Sequence, residues 1–156
     1  SDLNVREGVE DLNGAISANS FGDIFVLTKT SHLITKDFVS RTVGALLNTQ
    51  GAAHVAYTDL IFVDGATQYY SPQKAYDKLD FINNITTYQD CFVFSRAIWQ
   101  TIEGFKPAPH PIYSFLLRAS NHTIFQHVPS PLYYSYKNNL AEAKNELVMT
   151  RQAILG

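Results

Sequence analysis

Thr28-Lys29-Thr30-Ser31-His32 brings three hydroxyls, an amine and an imidazole directly after the apolar run Ile24-Phe25-Val26-Leu27. A continuous run of that kind is what a strand shows when both its faces are buried, the usual setting of a parallel strand. Open α/β sheets place ligands at the carboxyl ends of such strands. A substrate site is therefore expected to touch Thr28, Thr30, Ser31 and His32. Thr28, Thr30 and Ser31 offer hydroxyls without the carboxylate that would hold a sugar, and His32 is placed to approach a phosphate from the rim; a solvated loop histidine is the plainer alternative. No carboxylate stands in the loop to hold a metal ion.

Acids and bases lie elsewhere. Asp59 and Asp64 are the carboxylates near a strand end in the central half, and Asp64 is accounted for by its Asp-Gly turn. That leaves Asp59 as a candidate catalytic group. His110, between Pro109 and Pro111, is the other candidate because histidine is the side chain suited to proton transfer near neutral pH, although the position also suits a residue leading into a helix. His122 and His127 have no further ligand at useful spacing, so no metal residue is assigned. Tyr69, Tyr70, Tyr133, Tyr134 and Tyr136 either stack on sugar rings or cover a sheet face. Cys91, in Cys91-Phe92-Val93-Phe94, reads as a buried thiol, and Trp99 with Ile98 and Ile102 as core.

These residues need elements to position them. Asn4 to Ala18 carries Val5, Val9, Leu12 and Ile16 on one helical stripe, with Asn4 and Glu7 spaced as a capping box. Thr35 is placed to cap a second helix whose Phe38, Val39, Val43, Leu46 and Leu47 face inward and which Gly51 ends. His54 to Thr58 is β-prone, and Leu60 to Val63 with Thr67 to Tyr70 form a hairpin across Asp64-Gly65-Ala66. Ser71-Pro72 opens a short helix to Leu79. Cys91 to Ser95 is a strand, Arg96 to Ile102 a helix stopped at Gly104, Lys106 to Pro111 a loop, and Pro111 to Leu117 a helix. Thr123 to Val128 and Leu132 to Tyr136 are strands separated by Pro129 and Pro131. Asn139 with Glu142 begins a tail helix carrying Leu140, Ala143, Leu147, Val148 and Ile154.

The expected architecture is a three-layer α/β/α sandwich with a small mixed sheet centred on Ile24 to Leu27, in one domain over residues 1–156. With 46% hydrophobic and 17% charged residues, a chain of this size buries roughly 70% of its unfolded surface. A formal charge of -2 without a Lys/Arg cluster gives no footprint for nucleic acid or an anionic membrane. No run approaches the ~18 residues of a membrane span. The chain opens on Ser1 rather than Met, which points to excision from a longer parent.

Eight strings carry a family resemblance. They are Asn13-Gly14-Ala15-Ile16, Gly22 to Leu27, Val55 to Asp59 with Asp64-Gly65, and Asn83-Asn84-Ile85, followed by Phe94-Ser95-Arg96, Glu103-Gly104-Phe105, Leu116-Leu117-Arg118 and His127 to Tyr133. In this order they resemble the middle and C-terminal part of family-two, GT-A fold glycosyltransferases of the bacterial polysaccharide or O-antigen type. The resemblance implies a cytoplasmic, nucleotide-sugar-dependent transferase, with Arg118 and His127 as further substrate-binding candidates. It also implies a nucleotide-sugar donor held by a divalent metal on an Asp-rich motif, but those positions read Thr28, Thr30 and Ser31 here. The stretch that resembles the site of the catalytic base, His110-Pro111-Ile112-Tyr113-Ser114, contains no acid. The strand-helix units that bind the nucleotide in the family have no counterpart before Asn4.

Three functions follow as alternatives: a degenerate glycosyltransferase-like domain within a larger surface-glycan protein, a metal-independent transferase completed by its missing half, or a carbohydrate- or protein-binding module. The implied partners are the rest of the parent, a glycan, and a second copy through an exposed sheet edge beside the central strand.

Overall fold

The computed structural model describes residues 2–19, 22–83, 91–137 and 151–155. Val9, Leu12 and Ile16, spaced three and four apart, form the buried stripe of helix α1 (Asp2–Ala18). Asn4 lies inside the first turn, so the expected capping box does not start the helix. Strand β1 (Ile24–Thr28) buries Phe25, Val26 and Leu27 completely, as its composition requires. It is neither parallel nor central. It runs antiparallel to β5 (Phe92–Ser95) on one side and to β7 (Arg151–Leu155) on the other. Helices covering both faces demand the same apolar run whichever way the neighbours point. The edge expected to be open beside β1 is closed by β7.

The centre belongs to β3 (Ala53–Asp64), in which the two expected β segments are one 12-residue strand. It pairs in parallel with β6 (Ile124–Tyr136). Its other edge is shared: Val55 to Tyr57 face β5, and Leu60 to Asp64 face β4 (Thr67–Ser71). With β2 (His32–Ile34), the order is β2-β6-β3-β5-β1-β7, β4 lying beside β3 in a seven-stranded mixed sheet. Pro129 and Pro131 do not break β6. Thr58 faces Val128, Asp59 faces Pro131 and Leu60 faces Tyr133, so the strand bulges where two residues cannot donate to the ladder.

That irregularity has a geometric role. Four strand positions separate β1 from β2, about 19 Å in a flat sheet. The four residue steps from Thr28 to His32 reach at most about 14 Å, and the two side chains touch at 3.2 Å. The sheet must curl, and the register slips in β3 and β6 lie at the bend.

One face carries α1, α3 (Lys78–Asn83), α4 (Arg96–Thr101) and α5 (Pro111–Ala119) around Phe25, Phe92, Phe94, Phe105 and Phe115. The Phe105 and Phe115 rings stack with centroids 4.1 Å apart. The other face carries α2 (Phe38–Asn48), whose Phe38 and Leu46 pack on Val26, Val93, Leu60 and Val128. On α2 the expected Leu47 is 69% exposed and Thr42 is buried instead, donating to the Phe38 carbonyl at 2.8 Å. Thr35 serves through its carbonyl, which accepts from Phe38 N–H; the cap position is Asp37. Gly51, at φ 89°, turns the chain away after α2 as expected.

Residues 72–77 form no helix, and α3 begins only at Lys78. The Gln73 N–H and the Lys74 carbonyl are bonded instead to Asp59 and to the Tyr57 hydroxyl. Ile154 lies in β7 rather than in a tail helix. The rest of that expected helix, from Asn139 through Val148, lies outside the described residues, as do Asn84 and Ile85.

Candidate functional site

Asp59 sits where the β3 edge changes partner from β5 to β4, and it is 1% exposed. A two-residue hairpin loop sets Ile61 opposite Tyr70, which leaves Asp59 on the same face one pleat back. The Tyr70 hydroxyl donates to Asp59 Oδ2. Gln73 N–H donates to Oδ1 at 2.8 Å, and His127 Nε2 lies 2.7 Å from the same oxygen. The parallel register brings His127 beside Tyr57, whose ring stacks on the imidazole at 5.0 Å.

Burial pushes the Asp59 carboxyl up, but the donors from Tyr70, Gln73 and His127 outweigh it and hold it below its ordinary value of 3.8. The same bond raises the Tyr70 phenol above 10.0, with burial and the Asp59 charge adding to it. A carboxylate here calls for a proton on His127 Nε2, so the imidazole is the donor of that contact. The sequence reading named Asp59 and His127 separately; the fold joins them. Tyr70 stood out only as a sugar-stacking or sheet-covering ring, not as a partner of Asp59, and Gln73 did not stand out at all. The Asp64-Gly65-Ala66 hairpin signal would have delivered Tyr70 had its register been carried back to Asp59.

The Thr28 to His32 turn lies at the same end of the sheet but against the other core. Its polar groups are turned on one another: Thr28 Oγ1 contacts His32 Nδ1, Lys29 N–H donates to that nitrogen at 3.3 Å, and His32 N–H donates to the Lys29 carbonyl. The His32 ring packs on Tyr133 at 4.9 Å, and Tyr133 is part of the core beneath α2. Thr30 is exposed, and Ser31 accepts from Tyr136 N–H through its carbonyl. A donor set of hydroxyls and one engaged imidazole does not fit magnesium or manganese. Among the described residues no group of three or more His, Cys, Asp or Glu is placed to hold a metal ion.

His110 stands exposed at the N-cap of α5, makes no side-chain cap bond, and is not among the groups bonded to Asp59. Arg118 points into the scaffold, donating to the carbonyls of Ile102 at 2.7 Å and Gly104 at 3.0 Å. Burial lowers its guanidinium, against a smaller raising effect of Glu103.

Other conspicuous polar residues act as staples. Asn13 Oδ1 accepts from Trp99 Nε1 and Phe105 N–H, and its amide donates to the Phe105 carbonyl, tying α1 to the α4–α5 connection. Gly104, at φ 74°, lies so close that a Cβ would stand 2.8 Å from Asn13 Oδ1. Arg96 donates to the carbonyls of Ile16, Asn19 and Gly22, closing the end of α1 against β1.

A groove of about 520 Å³ opens between α2 and β6, lined in part by Arg41, Gly44, Asn48, Gln126 and His127. Arg41 reaches across it to Ser130 Oγ at 2.9 Å. His127 thus belongs both to this lining and to the Asp59 centre. Among the described residues no helix is long and apolar enough to cross a membrane. No protein-family model matches the chain, and no curated protein is significantly similar to it.

Proposed function

We propose that this chain is a glycosyltransferase-like domain of GT-A type that acts as a scaffold and glycan-contacting part of a larger surface-polysaccharide protein, without metal-dependent transfer of its own. The observation that supports this reading is the pairing of the resembling strings. Asn13 bonds the Glu103-Gly104-Phe105 string, Arg96 bonds the strings of Ile16 and Gly22, and Asp59 bonds the string that begins at His127. Strings that answer one another in space are what a retained scaffold requires. The hydroxyl turn at Thr28 and a carboxylate already engaged by three donors speak for scaffold over chemistry. The groove beside His127 supplies amides and a guanidinium, the groups that bind sugar hydroxyls and acidic sugars.

The test is titration calorimetry of the chain, and of its full-length parent, with UDP- and dTDP-sugars, each with and without manganese. No metal-strengthened binding is expected from either; such binding by the parent refutes the reading. One observation favours an active, metal-independent enzyme: Asp59 fixes the His127 tautomer, as an acid does for a base. In that case His127→Gln abolishes sugar transfer by the parent while leaving its thermal unfolding nearly unchanged.

A further inference from the structure

Among the described residues strand β4 pairs with β3 alone. Asp64 faces Thr67 across the loop Gly65-Ala66, and Phe62 faces Tyr69. In a two-residue hairpin the residues flanking the loop exchange both main-chain hydrogen bonds, and the pattern alternates from there. Thr67, Tyr69 and Ser71 therefore turn their N–H and C=O groups toward β3, and Gln68 and Tyr70 turn theirs outward. Among the described residues no strand meets that outer edge. The strand reads Thr-Gln-Tyr-Tyr-Ser. It has no charge, proline or glycine, none of the devices that keep an edge from recruiting a partner. Tyr69 and Tyr70 are 50% and 52% exposed.

We infer that β4 pairs antiparallel with β4 of a second copy of this chain, about a two-fold axis at Tyr69. The outward groups lie symmetrically on either side of that residue. Gln68 of one copy then meets Tyr70 of the other, twice, and four main-chain hydrogen bonds form with none left over. Only Tyr69, on the axis, meets its own copy in this register, and neither it nor the Gln68 and Tyr70 that flank it carries a charge to repel the second strand. Asp64, at the foot of the hairpin, pairs with Lys137 at 3.5 Å, and the Asp59 carboxylate is buried and taken up by its donors. Tyr69 packs on Phe62 with centroids 5.2 Å apart, and the pairing extends that row through the second Tyr69 and Phe62. One strand pair buries less than the about 1,200 Å² of a standard interface, so the dimer is reversible and concentration-dependent.

Cross-linking of the full chain tests the register. Opposed Tyr69 residues form a non-hydrogen-bonded pair with Cα atoms about 4.5 Å apart, within disulfide range. Tyr69→Cys is expected to give a disulfide dimer under mild oxidation. Thr67→Cys, whose copies would lie about 13 Å apart, is expected to stay monomeric. Cys91 is buried and does not compete. In sedimentation equilibrium the unmodified chain should dimerise as concentration rises, and Tyr69→Lys should abolish this with an unchanged circular dichroism spectrum. Equal cross-linking of both cysteine variants, cross-linking of neither, or a monomer at all concentrations overturns the inference.

Discussion

The two halves of the curled sheet are built on opposite terms. Where β1, β5 and the first half of β3 run together, helices cover both faces and phenylalanines fill the space. Beyond the bend, β4, the second half of β3, the second half of β6 and β2 leave Leu33, Tyr69, Tyr70 and Tyr136 exposed. The first half holds the fold, and the second presents surface. Asp59 stands at the joint, binding the hairpin through Tyr70, the following segment through Gln73 and the parallel strand through His127. A buried carboxylate at a joint secures position rather than bulk stability, because its desolvation offsets much of what its bonds supply.

The sharpest way to break the comparison is to remove mass from the covered half. Phe115 touches Phe92, Phe94 and Phe105 and is fully buried. Phe115→Ala is expected to cost about 3–5 kcal/mol in urea unfolding. Asp59→Ala should cost about 2–4 kcal/mol, since it orphans three donors at once.

The pH dependence of that loss follows from the shifts. The folded Asp59 carboxyl lies below its ordinary value, so its contribution is complete above about pH 4 and vanishes as pH falls through the folded value. Tyr70 is raised, so its contribution is complete below about pH 10 and vanishes as pH rises through its folded value. The gap between wild type and Asp59→Ala should therefore close at both extremes of a denaturation series. A smaller effect is expected at Gly104→Ala. There a positive φ and the 2.8 Å approach of Asn13 Oδ1 should cost about 1–3 kcal/mol without altering the second half of the sheet.

What the sequence made legible is what depends on local pattern. The stripe of α1, the apolar run of β1, the hairpin turn and the start of α5 at Pro111 all follow from spacing and side-chain type. Strand direction did not, because burial on both faces reads alike in parallel and antiparallel pairing. The helix expected after Ser71-Pro72 failed for a non-local reason: Asp59, fourteen residues earlier, takes the N–H of Gln73. The site was half legible. Asp59 and His127 stood out singly, but their contact depends on a parallel register between strands more than sixty residues apart. Arg118, singled out for substrate, is consumed by the carbonyls of Ile102 and Gly104, which no one-dimensional pattern announces.

Native-state hydrogen exchange on the wild type and on Asp59→Asn tests most directly whether Asp59 is the joint between the two halves. The substitution should speed exchange roughly 10- to 100-fold across Leu60 to Ser71 and residues 72–77, while β1 and β5 keep their protection. Unchanged exchange in the hairpin would contradict this account and leave Asp59 free for chemistry, and an equal loss in both halves would contradict it by showing that the sheet opens as one unit.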